Sequence, residues 1–161
     1  MAQRQDSRPY IRQIDFMFYH EAEIRRAVED AKEERETPDI RNGSGLPDPT
    51  LSEAIKHLTP VKSVFIGGRE EEINGQMTVV DAQEIKYPER WLEVIARTYA
   101  WCKVQKGDHY EIARRRYNCE DYRKICRELC IDVATISRVL ELVRQEARAH
   151  AIELGLISAR N

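Results

Sequence analysis

The chain predicts a mainly α-helical fold. Three observations carry that expectation. Its 161 residues include only 7 Gly and 6 Pro, so few positions break a helix. Apolar residues recur at three- and four-residue steps over most of the length. Cap residues punctuate those stretches: Asp48, Pro88, Gly107, Asp132 and Gly155 all stand where a helix should start or stop. With 42% hydrophobic and 34% charged residues, the chain can bury a modest core and remain well hydrated.

The elements follow in order. Residues 10–35 read as one long helix with Ile14, Met17, Ile24 and Val28 on its apolar side and Phe16, Phe18 and Tyr19 beside them. Beyond Val28 nearly every residue is charged, which is expected to give a solvated face held by i,i+4 pairs. Residues 37–50 hold three prolines, two glycines and an Asn-Gly pair, and read as a loop. Asp48 or Thr50 then caps a short helix over 50–59, with Pro49 tolerated in its first turn. Leu51, Ala54, Ile55 and Leu58 are its expected apolar stripe, and Pro60 stops it.

Residues 61–87 change character. Val61, Val64, Phe65 and Ile66 are β-branched or aromatic and end at Gly67 and Gly68. A second such run, Met77 to Val80, follows Asn74 and Gly75. The two runs predict a short β-hairpin serving as a connector, which must lean on a helix to be stable. Pro88 then opens a stronger helix with Trp91, Ile95, Tyr99 and Cys102 on one face and Gly107 past its end. A further helix over about 109–117 packs Ile112 and Tyr117.

Residues 122–139 carry the most specific pattern. Ile125, Leu129 and Ile131 make the apolar side of one short helix and a tight turn. Asp132 supplies an N-cap, and Ile136, Val139 and Leu140 restart the helical period. Val133, Ala134, Ser137, Arg138 and Glu141 are left facing solvent between those anchors. This is the layout of a helix-turn-helix, whose second helix enters a DNA major groove by its N-terminal residues. Cys130 stands where such a turn often has Gly, so a slightly strained or differently shaped turn is expected. The second helix continues to Leu154, with its own seam of Val143, Ala147, Ala151 and Leu154 and a Schellman ending at Gly155. The extension is expected to close the domain against the helix beginning at Pro88, with a dimer contact as the alternative.

Charge divides the chain. Residues 1–89 carry 12 Lys/Arg against 18 Asp/Glu, whereas residues 90–161 carry 14 against 10. The basic half is the half with the helix-turn-helix, as phosphate attraction requires. Two regions are therefore expected: an acidic interaction region over 1–87 and a DNA-binding domain over 88–161. Arg115, Arg116, Arg123, Lys124 and Arg144 are the expected contacts to the DNA backbone. The partner is double-stranded DNA, with RNA polymerase a candidate for the acidic half and a monomer or homodimer as the working unit.

Other chemistry is not written in the residues. Gly67 and Gly68 lack the Lys and Ser/Thr of a phosphate loop. His20, His57, His109 and His150 have no metalloprotease spacing, and no nucleophile–base pair stands out. Cys102, Cys119, Cys126 and Cys130 lack the paired short spacings of a zinc site, so reduced, small core residues are expected and no metal or cofactor is. No apolar run reaches the length of a membrane span, and the opening residues lack a signal-peptide core. A cytoplasmic, non-enzymatic protein is expected.

Several short motifs occur in a telling order. Asp48-Pro49-Thr50 follows the glycine-rich loop, and residues 88–95 read Pro-Glu-Arg-Trp-Leu-Glu-Val-Ile. Tyr-Ala-Trp-Cys occupies 99–102 and Arg-Arg-Tyr 115–117, before the helix-turn-helix and the closing Leu-Gly-Leu-Ile of 154–157. Together they resemble the RinA/ArpU-type phage transcriptional regulators. Residues 111–157 also look like the region-four helix-turn-helix of sigma factors. The resemblance implies activation of late phage or prophage genes through DNA binding. It implies base reading by Val133, Ala134, Ser137 and Arg138, and a phosphate-contacting or capping role for Thr135. The rival function is DNA recognition within a phage packaging complex, as a ring-forming small-terminase-like subunit.

Overall fold

The computed structural model describes residues 9–35 and 48–159. Most of the loop expected over 37–50 thus lies outside the described residues. In order, the elements are α1 (Pro9–Tyr19), α2 (Glu21–Glu33), α3 (Pro49–Leu58), β1 (Ser63–Ile66), β2 (Arg69–Ile73), β3 (Gln76–Val80), β4 (Gln83–Lys86), α4 (Pro88–Val104), α5 (His109–Tyr117), α6 (Tyr122–Leu129) and α7 (Val133–Glu153). The fold is mainly helical, as the sequence implied. No helix among the described residues is long and apolar enough to cross a membrane.

The chain forms two compact units, and their boundaries differ from the expected cut at 87/88. One unit takes its described residues from Met1–Glu21 and Arg90–Asn161, the other from Ala22–Glu89. The expected long helix is interrupted at His20, so α1 and α2 serve different units. The physical reason lies in what each half carries. Ile14, Met17 and Phe18 of α1 are buried, and α1 packs on α5 and α7. Asp15 fastens it there. Its carboxylate accepts a hydrogen bond from the Tyr117 hydroxyl at 2.9 Å and a bidentate pair from Arg144, both bonds 2.9 Å. Phe18 adds ring contacts to Tyr99 and Tyr117, with centroids 5.5 and 4.7 Å apart.

The same unit contains the long C-terminal helix. Ile136, Val139, Leu140, Val143, Ala147 and Ala151 make one buried stripe along α7. Helices α1, α5 and α6 pack on α7, and α4 adds polar contacts at the C-terminal end of α7: Arg90 donates to the Leu154 carbonyl at 3.3 Å, and Arg97 pairs with Glu153 at 3.6 Å. The ending is a Schellman motif. Gly155 has φ +71°, its N–H reaches the Ile152 carbonyl at 3.0 Å, and the Leu156 N–H reaches that of Ala151 at 2.8 Å. On α4 the buried stripe is Trp91, Val94, Ile95, Thr98 and Cys102, with Tyr99 only half-buried. Thr98 satisfies its hydroxyl on the Val94 carbonyl at 2.7 Å.

In the second unit, Asp48 caps α3 by accepting from the Thr50 and Leu51 N–H groups at 3.0 and 3.1 Å. The expected apolar stripe of α3 does not face a core. Leu51, Ile55 and Leu58 are exposed, and the buried side chain is Ser52. The charged end of α2 is also more engaged than a solvated face. Arg35 donates to the carbonyls of Lys56 (3.1 Å), Thr59 and Pro60 (2.9 Å), so its guanidinium closes the C-terminal end of α3. Lys32 pairs with Glu89, whose carboxylate accepts from the Val61 N–H at 2.7 Å.

The hairpin exists, but the two expected runs are not each other's partners. Residues 64–66 do not face 77–80. β1 pairs antiparallel with β4, Val64 opposite Ile85, and β2 pairs antiparallel with β3, Glu72 opposite Met77. The chain therefore runs out along β1 and β2, reverses at Asn74 and Gly75, and returns along β3 and β4. Both turn residues have positive φ, 52° and 79°, the requirement of a type I′ turn. The sequence signal of the Asn-Gly pair was right, but the acidic strand beside it, Arg69–Ile73, carries no apolar alternation to announce it.

Candidate nucleic-acid interface

Helices α5, α6 and α7 pack on one another, and α6 and α7 meet at a turn of three residues. Asp121 starts α6 by accepting from the Arg123 N–H at 3.2 Å. Cys130 ends it in the left-handed region, φ 54° and ψ 43°, where a Cβ is unfavourable. The strain expected from a non-glycine residue here is thus present. Ile131 then bonds back to the Cys126 carbonyl at 3.1 Å, and Asp132 accepts from the Thr135 N–H at 2.7 Å to begin α7. The Thr135 hydroxyl and N–H both hold the Asp132 carboxyl below its ordinary range. Thr135 is accordingly part of the cap.

The start of α7 has a sharp division of faces. At 100° per residue, Val133, Ala134, Ser137, Arg138 and Glu141 span an arc of about 140°. The first four are exposed, Val133 to 54%. Glu141 is half-exposed and accepts a hydrogen bond from Gln145 at 3.3 Å. The opposite arc holds Ile136, Val139, Leu140 and Val143, all buried. All five expected base-reading residues therefore lie together on one side of the helix.

The basic residues separate into two groups. Arg123 is exposed and makes no ion pair among the described residues. Arg127, one turn later on α6, is in the same position, and sequence reasoning overlooked it. Its i,i+4 spacing from Arg123 was the available signal. The others are engaged within the protein. Arg115 is held by Glu120 and Glu128, and Lys124 also pairs with Glu120. Arg116 lies 4.3 Å over the Tyr122 ring and donates to the Glu120 carbonyl at 3.3 Å. Arg144 is committed to Asp15. Arg115 and Arg144, both expected to contact the DNA backbone, are thus each paired with carboxylates of the protein itself.

The Glu120 cluster gives a pH prediction. Hydrogen bonds from Arg115, then Lys124, lower the Glu120 carboxyl from 4.5 to about 2. A carboxyl depressed in the folded state stabilises it above the unfolded value, and that contribution fades as pH falls from about 4.5 toward about 2. The stability difference between the wild type and Glu120→Gln should therefore be present at pH 6 and shrink progressively below pH 4.5 in urea melts. A difference independent of pH would count against this pairing.

The cysteines occupy varied environments. Cys102 is buried, and burial pushes its thiol up to about 11, which makes it unreactive. Cys119 and Cys130 are exposed, contrary to the core positions expected of them. Among the described residues no group of three or more His, Cys, Asp or Glu side chains is placed to hold a metal ion. No protein-family model, curated protein or solved structure matches the chain.

Proposed function

We propose that this protein is a sequence-specific double-stranded DNA-binding regulator of phage or prophage genes, with α5, α6 and α7 acting as a helix-turn-helix. The observation that carries the reading is the open face at the start of α7. Small residues Ala134 and Ser137 let the helix approach base edges, while Val133 and Arg138 project beside them. An Arg at such a position can bond a guanine in bidentate fashion. The capped turn and the buried Ile125 and Ile136 hold that face rigidly. Arg123 and Arg127 supply charge for the DNA backbone from α6.

Random-oligonucleotide selection with the purified chain should return a defined consensus. On that sequence, Arg138→Ala is expected to cost about 1–3 kcal/mol of binding and to relax preference at one base pair. Binding to random DNA should change little. Gel shifts showing equal loss on both DNAs would remove Arg138 from base reading.

A further inference from the structure

The ribbon of β2 and β3 stands out on the second unit. Every residue of Arg69–Ile73 and Gln76–Val80 is exposed except Glu71 and Val80, which are half-exposed. A two-stranded ribbon open on both faces is marginal in water, and three or more strands are the usual remedy. Its two edges differ in chemistry. β2 carries Glu70, Glu71 and Glu72 in succession, a charged edge that repels a second acidic strand. β3 reads Gln-Met-Thr-Val-Val, with no charge, no proline and high β-propensity. Nothing among the described residues pairs with that edge.

We infer that β3 is a self-pairing edge that joins two copies of this chain into a dimer. The register makes the partner specific. The two-residue turn makes Ile73 and Gln76 a hydrogen-bonded pair, so Gln76, Thr78 and Val80 turn their backbone groups toward β2. The backbone N–H and C=O of Met77 and Val79 consequently face the open edge. An antiparallel copy centred on Thr78 places Met77 opposite Val79 of the second copy, and Val79 opposite its Met77. Those are the residues whose backbone groups are available, so hydrogen bonding and side-chain pairing demand the same register. Met77 and Val79, 64% and 58% exposed, then cover one another on one face, flanked by Glu72 and Glu70 on the outer strands. Thr78 meets its own copy across the two-fold axis, a favourable cross-strand pair. So short an interface predicts a weak, concentration-dependent dimer. The inference stands apart from the DNA-binding reading, since it concerns a different unit and is measured without DNA.

Sedimentation of the full chain from about 1 μM to about 1 mM tests it. The wild type should pass from monomer toward dimer in that range. Thr78→Lys, which sets two ammonium groups opposite one another, should weaken association about fivefold or more. Glu71→Lys, on the same rung but on the other strand, should leave it within about twofold. Circular dichroism checks that both fold. If Thr78→Lys does not, Val79→Pro provides a second variant, because it removes only the outward N–H and should weaken association likewise. A wild type that stays monomeric throughout overturns the proposal. So does a dimer insensitive to the folded edge variant, or an edge that binds a Lys-rich extended peptide while the chain remains monomeric.

Discussion

Replacing Arg144 by methionine is expected to lower folding stability by about 2–4 kcal/mol. The side chains of Arg144 and Asp15 are only 26% and 22% exposed, so water cannot readily take over the lost pairing. Burial works against the guanidinium charge, and the hydrogen bonds to Asp15 more than offset it, leaving the group more firmly protonated than usual. Methionine keeps much of the apolar stem of arginine but leaves the Asp15 carboxylate with the Tyr117 hydroxyl alone. The Tyr117 phenol is itself pushed up by burial and by the Asp15 charge, so it remains a hydrogen-bond donor at neutral pH. Urea denaturation of the variant, of Asp15→Asn and of the double variant forms a cycle. The double variant should be less destabilised than the sum of the singles, because removing both partners leaves no orphaned charge. A single-variant loss below about 0.5 kcal/mol would show that the pair is no more than a surface contact.

Ile136→Ala should have an effect of similar size, about 2–5 kcal/mol. Ile136 is fully buried on the inner arc of α7, between the cap at Asp132 and the next buried pair, Val139 and Leu140. Truncation removes its apolar contacts and leaves a cavity beneath the face that carries Ala134 and Ser137. Thermal melting should show a large drop in midpoint, while Arg138→Ala, two residues on and exposed, should melt close to the wild type. Equal melting of Ile136→Ala and wild type would mean that this side of α7 is not packed as the structure has it. The pair of variants also separates folding from recognition. If the proposed DNA binding holds, the first variant should lose it only where the unit unfolds, the second without unfolding.

The two effects differ in how visible they were beforehand. The burial of Ile136 follows from its spacing to Val139, Leu140 and Val143, which any helical wheel exposes. The Asp15–Arg144 pair spans 129 positions, and no periodicity or motif connects its members. For the same reason Arg144 passed as a candidate phosphate contact. Arg115 is a like case, paired with Glu120 and Glu128. A basic residue in a helix can serve a carboxylate or a phosphate equally well, and only the neighbours decide.

The second unit illustrates the reverse case. Leu51, Ile55 and Leu58 have the spacing of a core stripe, yet they are exposed while Ser52 is buried. Periodicity states that one side of α3 is apolar but not that another element covers it. The strand pairing is similar. Asn74 and Gly75 marked the turn, whereas the partner of β3 proved to be the acidic run Arg69–Ile73. Cross-strand hydrogen bonds are backbone bonds, so they tolerate a glutamate-rich partner where both faces remain wet.

What the amino-acid order determined by itself is therefore local: where helices α3 to α7 begin and end, the Schellman ending at Gly155, and which residues share the leading face of α7. Each depends on groups a few positions apart, where covalent geometry limits the choices. The tertiary structure decided that the first helix divides at His20, that α1 belongs with the C-terminal helices, and which cations are spent on carboxylates. Those outcomes depend on which distant groups arrive within a few ångströms of each other, and Coulomb and packing forces act on that separation, not on position along the chain.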